Sequence, residues 1–235
     1  MFSNNIIALI ITFVLALAWL RINDFAAHRG WISSQLSRKI IHMGTGPIFV
    51  LCWPLFPNDY VSRFFAALVP LLFSLQFLLV GIGILRDDAA VQAMSRTGDR
   101  REILRGPLYY GIIFVIITIL YWYDSPIGII ALMLMCGGDG LADILGRRFG
   151  YAKLPWNNEK SWIGSFGMLI GGWLFAVLII AIYIALGIFS GNSLSYMTEI
   201  TIIAFAGSFV ESLPFDDIDN ITVTLTALVL GHILI

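Results

Sequence analysis

The sequence predicts an all-α, polytopic membrane protein with about eight transmembrane helices. Of its 235 residues, 59% are apolar or aromatic and only 12% are charged, which is about half the charged share of a typical soluble domain. Apolar runs near the roughly 20 residues that a spanning helix needs recur along the chain, and no linker separates them. We therefore expect one membrane domain over residues 1–235. The runs cover residues 5–22, 40–57, 64–85, 107–123, 126–145, 162–188, 199–213 and 218–235.

Basic residues alternate between the predicted loops, and this alternation predicts the orientation. Thirteen of the 14 Lys and Arg residues fall in the loops after the first, third and fifth runs, whereas Arg63 alone falls on the opposite side. The positive-inside rule assigns the basic side to the cytoplasm. The N-terminus is then expected outside, and a polar active site is expected at the cytoplasmic face.

The loop between the last two runs is acidic, unlike the other loops on its side. It contains Glu211, Asp216, Asp217 and Asp219 and no basic residue. An acidic loop facing basic loops suits a site for a metal ion and a polyanion. The alternative is a solvated turn, since proline and Asp/Asn clusters are ordinary turn chemistry. The formal net charge of −1 gives no indication of a nucleic-acid partner.

Two carboxylates lie inside the fifth run. Asp139 is expected roughly 20 Å from the outer end of its helix at 1.5 Å per residue, and a carboxylate at the bilayer centre costs about 2.5–3.5 kcal/mol. Asp143 and Arg147 follow at four-residue spacing, so the three share a helix face. Mg²⁺, which prefers a few carboxylates together with phosphate oxygens, would compensate both aspartates. The alternative is an Asp143–Arg147 ion pair with close helix packing through the small residues Ala142 and Gly146.

Polar and basic residues follow in the segment before the sixth run. Lys153 and Lys160 supply ammonium groups, Asn157 and Ser161 supply hydrogen bonds, and Gly164 opens the next helix. A helix N-terminus beside cations is a suitable anion site. The segment is not a Walker A loop, because no glycine-rich run precedes the lysine.

Four separated segments resemble the polyprenol kinase family, and they occur in family order. Residues 139–164 resemble the CTP-binding signature of dolichol and other polyprenol kinases. RKIIHMGTG at 38–46 and GDRREILRGPLYYG at 98–111 are also similar to family segments. VESLPFDDIDNITV at 210–223 is most similar to phytol kinases of cyanobacteria and plastids. The resemblance covers most of the chain from residue 38 to the end.

This resemblance implies transfer of the γ-phosphate of CTP to the terminal hydroxyl of a long-chain isoprenoid alcohol, with phytol as the first candidate. Family members are polytopic and lack a P-loop. The nucleoside triphosphate would arrive from the cytoplasm and the alcohol from the lipid membrane. Where related kinases often have two lysines, this chain has Glu159-Lys160, which lightens the positive charge at the phosphates.

Phosphoryl transfer requires charge neutralisation and alignment more than covalent help, and this requirement assigns the predicted roles. Asp139 and Asp143 are predicted to hold Mg²⁺. Arg38 and Lys39 have an alternative as surface anchors, and His42 has an alternative as a buried, hydrogen-bonded histidine. The predicted catalytic residues are Asp139, Asp143, Lys160, Asp217 and Glu211, and the predicted nucleotide-site residues are Arg147, Lys153, Asn157, Ser161, Gly164, Arg38, Lys39, His42, Asp216 and Asn220.

Two other functions fit parts of the same pattern. A phosphatidate cytidylyltransferase-like enzyme would also use CTP near membrane helices, but it would release pyrophosphate instead of CDP. A small-anion transporter would also need charge within the membrane, but its site is typically at the midplane between internal repeats, and no repeat is evident. The sequence shows no transit-peptide-like extension before the first run, which favours a bacterial, cyanobacterial-type plasma or thylakoid membrane.

Overall fold

Every one of the eight apolar runs coincides with a helix in the computed structural model of the chain. The structure describes residues 4–95, 97–192, 194–215 and 218–235. Within these ranges the all-α fold class is confirmed, with one short β-hairpin. The α-helices are Asn5–His28 (α1), Ser34–Cys52 (α2), Ser62–Ile82 (α3), Asp88–Met94 (α4), Gly106–Leu120 (α5), Pro126–Met133 (α6), Asp139–Phe149 (α7), Trp162–Ala185 (α8), Met197–Glu211 (α9) and Asp219–Leu234 (α10); 3₁₀ turns cover Trp53–Leu55 and Arg100–Leu104, a π-helical turn covers Leu134–Gly138, and the strands are Lys153–Leu154 (β1) and Asn157–Ser161 (β2).

Polar residues next to the apolar runs set several helix ends. The side chain of Asn4 accepts a hydrogen bond from the backbone N–H of Ile6 at the start of α1. Ser125 caps α6 in the same way, and Pro126 follows it at the first helical position, where a missing N–H costs nothing. Gly83 ends α3 with φ at +84°, a left-handed conformation that glycine adopts without strain.

Five helical segments of the described chain are long and apolar enough to cross a membrane. Asp219–Leu234 is apolar but shorter. The predicted multi-pass membrane protein is therefore confirmed. The α2 and α9 helices, of 19 and 15 residues, are not among the five, so the number of eight spans and the outward N-terminus remain predictions. The five segments are Asn5–His28, Ser62–Ile82, Arg100–Leu120, Pro126–Phe149 and Trp162–Ala185.

The chain divides into two compact units, and the first comprises residues 1–41 and 48–120. In this unit α3 packs against α5 and against the 3₁₀ turn that precedes α5. Gly111 of α5 lies so close to Ser74 of α3 that an added Cβ atom would be 2.2 Å from the serine Oγ. A larger residue at this crossing would therefore displace the buried hydroxyl.

The second unit comprises residues 42–47 and 121–235. Here α8 packs against α6, the π-helical turn, α7 and α9, while α10 packs against α9 and α6. All eight residues of α6 are buried, as expected of a helix that is apolar on every side. The single domain predicted over residues 1–235 remains a prediction.

Small residues let α8 approach its neighbours closely. A Cβ atom on Gly171 would lie 2.3 Å from the carbonyl oxygen of Gly137, and one on Gly164 would lie 3.6 Å from the Cα atom of Gly146. Gly164 also faces the carbonyl oxygen of Ala142. The close helix packing through Ala142 and Gly146 that the sequence offered as an alternative is thus present.

The start of α2 and the loop after the fifth run differ from the sequence prediction. The α2 helix begins at Ser34 instead of residue 40, because Ser33 Oγ accepts a hydrogen bond from the Leu36 N–H at 3.2 Å and hydropathy does not detect the polar first turn. The predicted loop after the fifth run contains the β-hairpin, whose strands pair antiparallel.

We expect cysteine labelling in intact membranes to test the predicted topology. Single cysteines near residues 95 and 155 should react only from the cytoplasmic side, and one near residue 192 only from outside, because basic loops stay inside. Residues 155 and 192 reacting from the same side would contradict the orientation of α8 and the eight-span topology.

Candidate active site

The β-hairpin is fastened to the C-terminal end of α9. Lys153 pairs with Ser161 and Leu154 with Asn157, with an irregularity between the two pairs. At the turn, the Trp156 indole N–H donates to Ser212 Oγ at 3.2 Å. The Asn157 side-chain amide donates to the Ser212 carbonyl oxygen, also at 3.2 Å. These bonds place the basic segment beside the start of the acidic α9–α10 connection.

Lys160 on β2 contacts the two carboxylates at either end of that connection, Glu211 of α9 and Asp219 of α10. Its Nζ donates to Glu211 Oε1 and to Asp219 Oδ2, the latter at 2.8 Å. The side chain of Glu211 is only 4% exposed, and those of Lys160 and Asp219 are 28% and 26% exposed. The structure therefore brings together the basic and acidic segments that the sequence placed on one side of the membrane.

The Lys160 ammonium keeps its charge in this setting. Burial on its own lowers the pKa of Lys160, but the two carboxylates and the hydrogen bonds to them raise it more, so the pKa lies well above its ordinary value. One ammonium between two carboxylates leaves a net formal charge of about −1 on the three groups. The cluster therefore attracts a cation before it attracts phosphate.

Asp139 lies near this cluster and contacts His42. The His42 Nε2 atom is 3.1 Å from Asp139 Oδ2, with the side chains 17% and 22% exposed. The same nitrogen is 3.3 Å from the carbonyl oxygen of Met135. Asp139 also interacts electrostatically with Glu211. Asp139 on α7 thus lies near the buried carboxylate that Lys160 contacts.

Asp143 forms the predicted alternative ion pair. Arg147 Nε is 2.9 Å from Asp143 Oδ2, with Arg147 about half exposed. Such an i,i+4 pair contributes only about 0.3–0.5 kcal/mol, so a stronger ligand can displace the arginine at little cost. The pair and a cation role for Asp143 are therefore compatible.

The donor set suits Mg²⁺ held jointly with phosphate. No group of three His, Cys, Asp or Glu side chains in the described ranges forms an all-protein metal site. Mg²⁺ rarely needs one, because it usually takes one or two carboxylates and completes its shell with water and substrate phosphates. Asp139 and Asp143, one turn apart on α7, supply such a pair of hard oxygen ligands.

Ser161 and Gly164 are predicted to shape a nucleotide pocket, but in the structure both have roles in helix capping and packing. Ser161 is buried and caps α8, with its Oγ accepting from the Gly164 N–H at 3.2 Å. Gly164 sits at the crossing with α7. The helix end is therefore less open to an anion than the sequence predicted, and the nucleotide roles of both residues remain predictions.

Lys153 and Asn220 lie beside the cluster along the chain, on β1 and in α10. The Lys153 Nζ is exposed and donates to the Glu159 carbonyl oxygen at 3.3 Å. Asn220 lies in the first turn of α10, where its carbonyl oxygen accepts from Thr224 Oγ1 at 2.6 Å.

Of four other predicted residues, two lie in the first unit and two lie outside the described residues. Arg38 and Lys39 belong to the first unit, where Arg38 Nη1 donates to the Ser95 carbonyl oxygen at 2.9 Å. Asp216 and Asp217 lie outside the described residues, so their predicted roles remain predictions.

Sequence reasoning gave no role to Asp219, although it noted this residue in the acidic loop. Lys160 and Asp219 are 59 positions apart in the chain, and no local pattern selects Asp219 over its acidic neighbours. The Ser212 carbonyl that holds the hairpin carries no signal in the sequence at all, because every residue has a carbonyl group.

The chain is similar over most of its length to curated plant proteins. It is 42% identical over 221 residues to a Triticum aestivum protein named probable phytol kinase, chloroplastic, covering 93% of this chain and 74% of that protein. It is 40% identical over 233 residues to farnesol kinase, chloroplastic, of Arabidopsis thaliana, covering 98% and 76%. The chain belongs to the phytol kinase family. Phytol kinase 1, chloroplastic, of Arabidopsis thaliana is 38% identical over 207 residues, or 87% of this chain and 68% of that protein.

This membership confirms the polyprenol kinase resemblance. No protein-family model and no solved structure matches the chain. These phytol and farnesol kinases are named as chloroplastic proteins. Their names therefore do not support the bacterial membrane expected from the sequence. These three relatives are named as kinases, and not as a cytidylyltransferase or a transporter.

Proposed function

We propose that the chain phosphorylates the terminal hydroxyl of a long-chain isoprenoid alcohol, with phytol as the first substrate, CTP as the donor and Mg²⁺ as the cofactor. The observation that carries the reaction class is the similarity to proteins named phytol kinase 1 and farnesol kinase, with 38% and 40% identity over 87% and 98% of this chain. CTP is proposed from the signature at 139–164 and Mg²⁺ from the carboxylate pair on α7.

The reaction breaks the bond between the γ-phosphorus and the oxygen that bridges it to the β-phosphorus. A new bond forms between the γ-phosphorus and the alcohol oxygen, the hydroxyl proton passes to a base, and CDP leaves. Because the transition state of such a transfer is loose, catalysis rests on alignment and charge neutralisation. The protein must therefore hold the phosphates and orient the hydroxyl.

Asp139 and Asp143 are the residues that would hold Mg²⁺, which neutralises phosphate charge when bound. Lys160 is the cation best placed to contact the phosphates, because Glu211 and Asp219 fix its ammonium group. Arg147, half exposed on α7, and Lys153, exposed on β1, supply further positive charge from the surface. The Mg²⁺ ion and the three cationic side chains would offset the negative charge of the phosphates and the carboxylates.

Asp219 is the carboxylate that we assign to the alcohol. Its Oδ2 accepts from Lys160, whereas its Oδ1 is buried and has no hydrogen-bond partner within the part of the chain that the structure describes. A buried acceptor without a donor costs about 1–3 kcal/mol. A substrate hydroxyl would satisfy Oδ1 by donating to it, and the carboxylate could then take the proton.

The two substrates differ in solubility, and this places the site at the membrane surface. The isoprenoid tail favours the bilayer, while CTP is confined to water. The cluster lies at the ends of α9 and α10 and on the hairpin, where charged residues follow apolar helices. We propose the cytoplasmic surface of an integral membrane protein, and the bacterial, cyanobacterial-type plasma or thylakoid membrane remains a prediction.

A substrate panel tests the proposal. Purified protein should be incubated with Mg²⁺, each of CTP, ATP, UTP and GTP, and each of phytol, geranylgeraniol, farnesol and a long polyprenol, with the lipid monophosphate measured. We expect the highest rate with CTP and phytol. A higher rate with another nucleotide would contradict the CTP assignment, and the absence of any lipid phosphate would contradict the kinase itself.

A further inference from the structure

The π-helical turn that precedes Asp139 changes the hydrogen bonding at the site. The backbone N–H of Asp139 donates to the carbonyl oxygen of Cys136, three residues earlier, whereas in a regular α-helix it would donate to Met135. The Met135 carbonyl oxygen accepts a hydrogen bond from His42. Such turns are rare within helices and frequently accompany functional sites.

Both oxygens near His42 Nε2 are acceptors, and this fixes the tautomer. The Asp139 carboxylate lies at 3.1 Å and the Met135 carbonyl at 3.3 Å, and neither has a hydrogen to donate. Nε2 must therefore carry the hydrogen and share it between the two. The imidazole ring of His42 thus bonds both to the backbone of the π-helical turn, at Met135, and to the carboxylate of Asp139 at the start of α7.

Tight packing keeps the His42 segment in this position. A Cβ atom on Gly140 would lie 1.9 Å from Met43 Cγ, so the first turn of α7 and the residue after His42 are in direct contact. Met135 is fully buried, and its Sδ accepts from Thr224 Oγ1 at 3.6 Å. The carbonyl that receives the His42 bond is thus itself fixed.

We infer that His42 is a positioning residue that fixes the orientation of the Asp139 carboxylate for Mg²⁺, through an Nε2–H shared with the Met135 carbonyl. This inference rests on the proposed function, and it differs from the direct nucleotide contact predicted for His42 from the sequence. Oδ2 of Asp139 is committed to the imidazole, so the plane of the carboxylate is set before the cation arrives. Partners that orient a metal ligand in this way typically contribute 10–100-fold in metal affinity or activity.

The test compares His42→Leu with His42→Gln. Leucine removes the donor, whereas the glutamine amide places an N–H near the position of Nε2 and keeps the bond. Mn²⁺ is the probe for the cation, and its binding to detergent-purified protein with CTP and without alcohol is followed by electron paramagnetic resonance. We expect His42→Leu to raise the Kd of Mn²⁺ about 10-fold or more, and His42→Gln to stay within about three-fold of the parent. His28→Leu, at an exposed position on α1, is the matched control and should leave the Kd unchanged.

Kinetics separate this inference from the proposed function. In His42→Leu the Mg²⁺ concentration for half-maximal rate should rise, with the KM for the alcohol unchanged. If both His42 variants bind Mn²⁺ like the parent, the positioning role is wrong even though the kinase activity stands. If the glutamine variant loses as much affinity as the leucine variant, His42 acts through packing and the inference also fails. A parent protein without kinase activity would overturn the proposed function instead.

Discussion

Replacing Lys160 with methionine should abolish turnover and lower the free energy of unfolding by about 3–5 kcal/mol, the range for breaking a buried pair. The variant leaves Glu211, which is 4% exposed, beside Asp219 without a cation between them. Unfolding in detergent with increasing denaturant measures the loss. Arg148→Met is the matched control, because this exposed arginine of α7 stacks on Phe149 outside the cluster, and it should change stability by at most about 0.5 kcal/mol.

A second substitution separates stability from catalysis at this position. The Lys160→Met, Glu211→Gln double variant removes the charge of the more deeply buried carboxylate along with its partner and leaves only the partly exposed Asp219. Most of the lost stability should return, because a neutral amide costs much less to bury than an unpaired carboxylate. Turnover should stay absent, because the phosphate contact is missing. A Lys160→Met variant as stable and active as Arg148→Met would show that the cluster has neither role.

Changing Asp139 to asparagine should lower kcat at least about 100-fold, as expected when one group that stabilises transition-state charge is lost. The variant should remain inserted and monodisperse, because removing a charge from a membrane helix reduces its insertion cost. Turnover in detergent and size-exclusion chromatography check the two expectations.

CTP with Mg²⁺ should also raise the melting temperature of the parent protein through linkage, by an amount that grows with ligand concentration. This shift in melting temperature should vanish in the Asp139→Asn variant.

Asp124→Asn is the matched control for Asp139. Asp124 is exposed and precedes α6 at the other end of the same continuous helical segment, so the same chemical change is made away from the cluster. It should retain both turnover and the shift. An Asp139→Asn variant with near-parental turnover would exclude Asp139 as a metal ligand.

Hydropathy predicted the helices well because few backbone structures are stable in the hydrocarbon core of a membrane. A membrane-spanning backbone must satisfy its own hydrogen bonds, so each long apolar run became a helix. Helix ends were harder, since α2 begins with a polar turn capped by Ser33. The hairpin at 153–161 was missed because it is two short strands around Pro155 and Trp156, and its position depends on the Ser212 backbone.

The site was predictable where it depended on periodicity or on topology. Four-residue spacing placed Asp143 and Arg147 on one helix face, and they pair in the structure. The count of basic loops placed the hairpin segment and the acidic connection on one side, and Lys160 meets Glu211 there. Periodicity could not select Asp219 as the second carboxylate. That choice depends on how α10 packs against α9, which involves contacts between distant parts of the chain.

His42 shows the other limit of sequence reasoning. Its motif indicated a role, but its partner depends on an irregular turn of another helix. The π-helical turn at Leu134–Gly138 has no signature in a run of apolar and glycine residues, and without it the Met135 carbonyl would receive the Asp139 N–H. Irregular backbone of this kind is set by tertiary packing, here by α8 against Gly137 and Gly138.

The position of the phosphorus label after turnover tests the central claim most directly. The parent protein should be incubated with Mg²⁺, phytol and CTP labelled either at the γ- or at the α-phosphorus, and the lipid products should be separated from the nucleotides. The account predicts that γ-label appears in phytyl phosphate in a one-to-one ratio with CDP, and that α-label stays in the nucleotide. Transfer of α-label to lipid with release of pyrophosphate, or no transfer of either label, would contradict it.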